Sequence, residues 1–253
     1  MRDGVPPGGP LVRALFDRAN RAAGNEAGAC AVELSGSLEV TARGGPITIA
    51  DDVAGAVTLP EGGRHVVSTD GRARARYLAL AGGVDAPEIL GGRGALLVAG
   101  IGGLLRRGDR LAALGRAPRP PQGPTGGSVP AESTASADPR DEDRPIALVP
   151  GPDASALPLD ALSEQVLRVS AASDRTGTRL DGLAPGATDL ASHARRSTPM
   201  VLGAIELTPS GLIVLGPDHP TTGGYPVVAV VRSSSLDRLF ARPIGAAVRF
   251  VVS

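Results

Sequence analysis

No lysine occurs in these 253 residues, so all 26 basic side chains are arginine. That excludes any chemistry run through a lysine amine in this chain: no Walker A lysine, no Schiff base and no biotinyl-lysine. Tryptophan is absent as well, and aromatics amount to 2%. The core must therefore be built from Val, Leu, Ile and Ala, which favours short strands where β-branched side chains pack well. Cys30 is the single cysteine. No intrachain disulfide can form, and the thiol reads as a small buried hydrophobe. No apolar run approaches the ~20 residues of a membrane span. The first ten residues lack the charged and apolar regions of a signal peptide, so a cytoplasmic location is expected. Acidic and basic residues balance to a formal net charge of zero. A nucleic-acid binder would carry a basic stripe, and none is present.

What remains is aliphatic and polar. Hydrophobic residues make up 42% and charged residues 21%, a balance that goes with a soluble globular protein. The length allows one large domain or two of about 100–150 residues, each with its own core. Leu11, Leu15, Ala19 and Ala22 recur at helical spacing, which predicts a helix over residues 11–23 ended by Gly24-Asn25. Short strands follow within 31–40, then at 47–49, 65–67, 74–80 and 96–98. The alternation of Arg74, Arg76 and Leu78 with Ala75, Tyr77 and Ala79 predicts a half-buried strand. Residues 117–144 are dense in Pro, Gly, Ser, Thr and Asp, with almost nothing to bury. They read as a flexible linker between a half at 1–116 and a half at 145–253. The second half has predicted strands at 146–149, 167–170, 201–207, 212–215, 225–231 and 247–252. It has short helices at 158–166 and 236–242. Many strands and few helices point to a sandwich or barrel.

Two stretches stand out. Asp218-His219-Pro220-Thr221-Thr222-Gly223-Gly224-Tyr225-Pro226 is a polar turn feeding an apolar strand. Gly223 and Gly224 permit close backbone approach and positive φ. Their amides, with the hydroxyls of Thr221 and Thr222, suit an anion-binding nest. A tight hairpin turn explains the same residues without a ligand. Ser173-Asp174-Arg175-Thr176-Gly177-Thr178-Arg179-Leu180 holds two arginines whose planar forks match carboxylate or phosphate. Asp174 is placed to orient either; a surface ion-pair network is the alternative reading. His219 invites a catalytic role, although a turn or packing role fits better. His65 and His193 stand without a second ligand at metal spacing, so no metal site is expected. The runs Gly82-Gly83, Gly91-Gly92 and Gly100-Ile101-Gly102-Gly103 precede no clear helix and read as barrel turns.

Together these stretches resemble the Ser-Asp-Arg-Met-Gly-Tyr-Arg-Leu and Asp-(His/Arg)-(Pro/Gln)-Thr-Thr-Gly-Gly-Tyr-Pro motifs of one bacterial family. That family is shared by the C subunit of 5-oxoprolinase, allophanate hydrolase subunit 2 and the carboxyltransferase domain of urea carboxylase. Other segments match in the family's order: Ala19-Asn20-Arg21 with Gly24-Asn25 and Glu33; Tyr77-Leu78-Ala79-Leu80-Ala81-Gly82-Gly83; Arg93; Gly108-Asp109; Val149-Pro150-Gly151-Pro152; and Gly203-Ala204-Ile205. The departures are specific. Thr176 and Thr178 stand for the family's Met and Tyr, Asp153 for its Gln after Gly-Pro, and Glu206 for its Gln after Ile. The family's opening Thr-Val-Gln-Asp-x-Gly-Arg segment is expected to be missing, since the match begins near Gly4-Val5-Pro6.

The resemblance implies a mainly β fold of two cyclophilin-like β-barrel subdomains with a few short helices. It implies a hetero-oligomer with a homologue of the family's B subunit, and with an A subunit, acting on a small amide or lactam. In the 5-oxoprolinase reading, the complex uses ATP to convert 5-oxoproline to glutamate, with no ATP motif in this chain. In the carboxyltransferase reading, biotin on a separate carrier delivers a carboxyl group to urea or a similar amide. A third reading is a non-catalytic regulatory partner of a B-subunit homologue that inhibits a kinase. The expected substrate-binding residues are Arg175, Arg179, Arg93, Thr221, Gly223, Gly224 and Tyr225. Asp218, Thr222 and Glu206 are the expected catalytic groups, because an amide oxygen gaining charge needs aimed donors and a proton carrier.

Overall fold

The computed structural model describes residues 4–6, 8–115, 138–139, 141, 143–184 and 196–252. Most of the stretch read as a linker, and His193, lie outside the described residues. The chain forms two compact units, Arg13–Ala137 and a second made of Met1–Val12 with Asp138–Ser253. The opening residues thus group with the second unit and not with the half that follows them in sequence. Two bonds account for this: the Gly8 amide donates to Pro217 O (3.1 Å), and Arg175 Nη2 donates to Gly9 O (2.7 Å).

The N-terminal unit runs α1 (Arg13–Ala22), β1 (Val32–Leu34), β2 (Ser37–Thr41), β3 (Ile47–Asp51), β4 (Gly55–Leu59), β5 (Arg64–Ser68) and β6 (Arg76–Leu80). One sheet has the order β1-β6-β3-β4, and β2 pairs with β5 in a ribbon. Helix α1 buries Leu15 and Ala19 and packs on β6 and β3. Phe16 meets the Tyr77 ring edge-on at 5.8 Å, a favoured aromatic geometry. Asn25, just past the helix, donates to Leu80 O (2.9 Å) and Asn20 Oδ1 (2.8 Å), and accepts from the Gly82 amide (2.7 Å). One side-chain amide thereby fastens the helix end to the end of β6.

Strand β6 departs from the half-buried expectation, for all five residues are buried. It lies between β1 and β3 with α1 across it, so neither face meets water. Arg76 is tolerated there because its donors are satisfied: Nε to Asp52 (2.8 and 3.0 Å), Nη2 to Asp51 (3.0 Å) and Nη1 to Ser68 O (2.6 Å). His65, isolated in sequence, meets Asp51 Oδ2 at 2.9 Å. The strand predicted at 96–98 is a 3₁₀ turn, Leu97–Ala99. Strand β4 has no sequence signal, as its middle residues are all exposed.

The C-terminal unit runs β7 (Ile146–Pro150), α2 (Leu159–Glu164), β8 (Leu167–Val169), β9 (Gly177–Asp181), β10 (Thr198–Pro199), β11 (Ala204–Thr208), β12 (Gly211–Leu215), β13 (Thr222–Gly223), β14 (Val227–Val231), α3 (Ser233–Ala241), β15 (Ala247–Val248) and β16 (Phe250–Val252). Eight strands form one sheet, β15-β8-β9-β12-β11-β14-β7-β16. Its two ends are successive pieces of one segment: β15 pairs antiparallel with β8, and β16, one residue on, pairs parallel with β7. The sheet therefore nearly closes into a barrel, which removes its open edges. Leu148, Leu167, Leu207, Leu212 and Val214 are buried within this unit. Helix α2 packs on β16 and α3 on β7. The fold is mainly β, as expected. No helix among the described residues is long and apolar enough to cross a membrane.

Candidate functional site

The two conspicuous motifs meet in the C-terminal unit. Asp174 shapes the first: its Oδ1 accepts from the amides of Thr176 (2.8 Å) and Gly177 (3.1 Å). The carboxylate thus closes the turn that starts β9 and orients neither arginine. This turn then zips onto residues 216–218. The Gly216 amide donates to Thr176 O (2.9 Å) and the Asp218 amide to Arg175 O (3.1 Å). The approach is so close that a Cβ on Gly216 would lie 2.3 Å from Arg175 O, so only glycine fits. Side chains finish the joint: Arg175 Nε and Nη2 grip Asp218 Oδ2 (2.7 Å) and Oδ1 (2.9 Å). A planar fork on a carboxylate is the strong, bidentate form of ion pair. Both donors of that edge are committed to Asp218.

Beyond Asp218 the chain buries His219 completely. Its Nδ1 lies 2.7 Å from Pro220 O, a contact that needs a proton on Nδ1, and its buried Nε2 has no hydrogen-bond partner among the described residues. A ring with no solvent access fits packing better than catalysis. The chain then forms β13, paired with β10 so that Thr222 faces Pro199 and Gly223 faces Thr198. The Thr-Thr-Gly-Gly turn is therefore one strand of a small ribbon. Neither Gly223 nor Gly224 has a positive φ, and an anion nest needs one left-handed residue; the nest reading fails here. Gly223 is needed for space. A Cβ there would fall 2.6 Å from Glu206 Oε1 and 2.9 Å from Met200 Cε.

Glu206, in the middle of β11, is buried beneath that ribbon. Its Oε1 has no hydrogen-bond partner among the described residues, and its sheet neighbours are Ile213 and Val227. Burial pushes its carboxyl pKa up. A bulge at Ile205/Glu206 marks where the register shifts against β14, a common device for re-aiming a side chain.

Beside the ribbon lies a cleft of about 490 Å³, within the size range of small-molecule sites. Met200, Ala204, Val227 and Val230 give it an apolar side. Asp153, Thr198, Arg196 and Tyr225 supply the polar groups. Asp153 is held in place by accepting the Val227 amide (2.9 Å). Of the residues singled out in sequence, Tyr225 lines this cleft and Thr222 and Gly223 sit on its bordering ribbon. Arg175 and Asp218 anchor the chain that leads into the ribbon, and Glu206 lies beneath it. Arg179 is exposed on the outer face of β9, between buried Thr178 and Leu180. Arg93 belongs to the N-terminal unit, where it pairs with Glu88 (3.4 Å) and Asp85 (3.9 Å). Sequence reasoning missed Met200, Thr198 and Asp153 as lining residues; only the departure at Asp153 hinted at one of them. No group of three potential metal ligands occurs among the described residues.

A nearly closed barrel with few helices places the chain in the mainly β class, with a partly apolar cleft beside the barrel ribbon. The family follows from comparison. The chain belongs to the family described as carboxyltransferase domain, subdomain A and B, whose model matches residues 3–252. It is 28% identical to the C subunit of 5-oxoprolinase from Escherichia coli, over 99% of this chain and 84% of that protein. It is 27% identical to the urea amidolyase of Lachancea kluyveri, over 99% of this chain but 16% of that protein. Among solved structures, TTHA0988 superposes with a TM-score of 0.73 at 26% identity, over 98% of this chain and 50% of that one. The Kluyveromyces lactis urea carboxylase superposes with a TM-score of 0.79 at 25% identity, over 98% of this chain and 25% of that one. The chain thus spans half or less of the urea amidolyase, TTHA0988 and urea carboxylase chains. One relative is named as a subunit, and the yeast matches correspond to one part of a longer chain.

Proposed function

We propose that this chain is a subunit of an ATP-dependent 5-oxoprolinase-type amidohydrolase that opens a small lactam. The observation that carries the reading is the match to the C subunit of 5-oxoprolinase, which runs across 99% of this chain and 84% of that protein. Site geometry supports it. The cleft has room for a small cyclic amide, with apolar contact for ring carbons and hydroxyl donors at Thr198 and Tyr225. A lactam oxygen that gains negative charge is stabilised by such donors when they are fixed in advance. Thr222 adds a hydroxyl on the bordering ribbon, and Arg175 acts by locking Asp218 and so the chain that leads into it. Glu206, whose carboxyl pKa is pushed up by burial, is the proton carrier nearest the ribbon.

ATP belongs to the assembled complex in this reading. No glycine-rich run in the described part of the N-terminal unit leads into an α-helix, and the chain has no lysine to hold phosphates. The matches to urea amidolyase and urea carboxylase favour a second reading, carboxyl transfer from biotin on a separate carrier.

The test is reconstitution with the separately encoded partner proteins and an assay for glutamate from 5-oxoproline. ATP-dependent glutamate is expected, with turnover at least about tenfold lower in Thr222→Ala and Arg175→Ala complexes that still assemble. Unchanged turnover in both variants eliminates the site. Carboxylation of urea by a biotin carrier, with no glutamate, replaces the first reading by the second.

A further inference from the structure

Residues 85–112 of the N-terminal unit form a long irregular excursion, tied to the rest of the unit where Cys30 Sγ lies 3.6 Å from Arg93 O and Leu111 packs on the core. The base is closed by the Asp85 amide on Ala112 O (2.8 Å), the Leu114 amide on Gly83 O (3.0 Å) and a bridge between Val84 and Ala113. Between these points the chain makes no extended strand and no α-helix, only local turns such as the Ile89–Gly92 and Leu96–Ile101 pairs. Long excursions of this kind within a compact domain usually serve a function. This one is apolar where loops are normally polar. Val98 is 76% exposed, Leu104 75% and Leu90 69%, with Ile89, Leu97 and Leu105 exposed beside them in sequence. Leu90 also holds a φ of 53°, a left-handed conformation unfavourable for a bulky side chain. Nothing within the described residues repays the exposure of these groups to water.

Charge identifies the kind of surface that fits. Arg93, near the base, is already paired with acids. Arg106, Arg107 and Arg110 are exposed, and no ion pair engages them among the described residues. Asp109, the one acid among them, spends Oδ2 on the Arg106 amide (2.7 Å). Residues 104–110 therefore present two leucines beside a net positive rim. A second copy of this chain is a poor occupant, because a two-fold contact sets this basic patch against itself.

We propose that the 85–112 excursion is the docking surface for a separate protein whose contact face has an apolar centre and an acidic rim. This deepens the proposed function and rests on it, since it assigns the surface that holds the partner protein of the complex.

The test co-expresses the chain with its B-subunit homologue and measures affinity by titration calorimetry and assembly by sedimentation. Two double variants are compared with the natural chain, Val98→Asp/Leu104→Asp and Arg106→Glu/Arg107→Glu. Both change exposed side chains, so their melting temperatures stay at the natural value. The first is expected to weaken binding at least 100-fold. The second is expected to weaken it about tenfold and to flatten its salt dependence. Unchanged affinity in both overturns the docking surface and leaves the amidohydrolase reading intact. A natural chain that assembles with no partner and yields no glutamate overturns both. Binding to phosphatidylserine vesicles, lost in the two variants while the protein complex still forms, reassigns the excursion to a lipid surface and also overturns the proposal.

Discussion

Arg76 in the N-terminal unit and Arg175 in the C-terminal unit each grip aspartate through Nε and Nη2, yet the surroundings give the two pairs different work. Arg76 lies in a central strand with both of its acids buried, and it serves Asp51 and Asp52 at once. Arg175 is 28% exposed and joins two loops through one acid. The first is a charge cluster sealed inside a sheet, where removal of one member leaves the others uncompensated. The second holds a buried aspartate with a partly exposed arginine, so water can replace part of what is lost. Chemistry of the side chains does not separate these two arginines; burial and the elements they join do.

Four substitutions sharpen that contrast, from the largest effect to the smallest. Arg76→Ala is expected to cost about 3–5 kcal/mol at neutral pH, read from urea denaturation of the N-terminal unit. The cost is expected to shrink in acid. Burial alone raises the Asp51 pKa, but the Ala54 and Val53 amides, His65 and Arg76 together hold it below the usual carboxylate value. A lowered folded pKa gives stability that is full above the unfolded value and lost as pH falls through the folded one. A penalty as large at pH 2 as at pH 7 breaks the account. Arg175→Ala is expected to cost less, about 1–3 kcal/mol in the C-terminal unit, because the pair is partly solvated. Equal costs at the two arginines erase the distinction.

Glu206→Gln tests a buried acid with no ion-pair partner among the described residues. Its raised folded pKa means the natural protein loses stability as pH rises from the unfolded carboxylate value through the folded one. The variant therefore matches the natural protein near pH 4 and is more stable at pH 8, seen as a higher melting temperature. No difference at pH 8 places a partner on the carboxylate. Arg64→Ala removes the exposed pair with Glu39 (3.7 Å) and is expected to change stability by less than about 0.5 kcal/mol. A larger loss assigns the β2–β5 ribbon a surface network.

Much of this is legible in the sequence, and the errors have causes. Helix α1 and most strands follow from period and breakers, and the two motifs stand out without any knowledge that they meet. The arginine motif carries no strand signal, although Gly177–Asp181 is β9; its threonines, arginine and aspartate alternate with too little apolar character. Asp51 and Asp52 are silent in sequence because their partners, Arg76 and His65, come from other strands. The Asn25 fastening sits within a matched motif that names the residue but gives no role to its amide.

By itself the amino-acid sequence determined what chemistry is unavailable, where most elements run and which family the motifs belong to, because composition, periodicity and ordered motifs are local properties. Tertiary structure decided which charges are sealed and which are reachable. It also turned a glycine-rich turn into one strand of a ribbon over a buried glutamate, and it left apolar residues of the 85–112 excursion in water. Those outcomes depend on what lies across the sheet from each side chain, and that neighbour is set by strand pairing between distant segments.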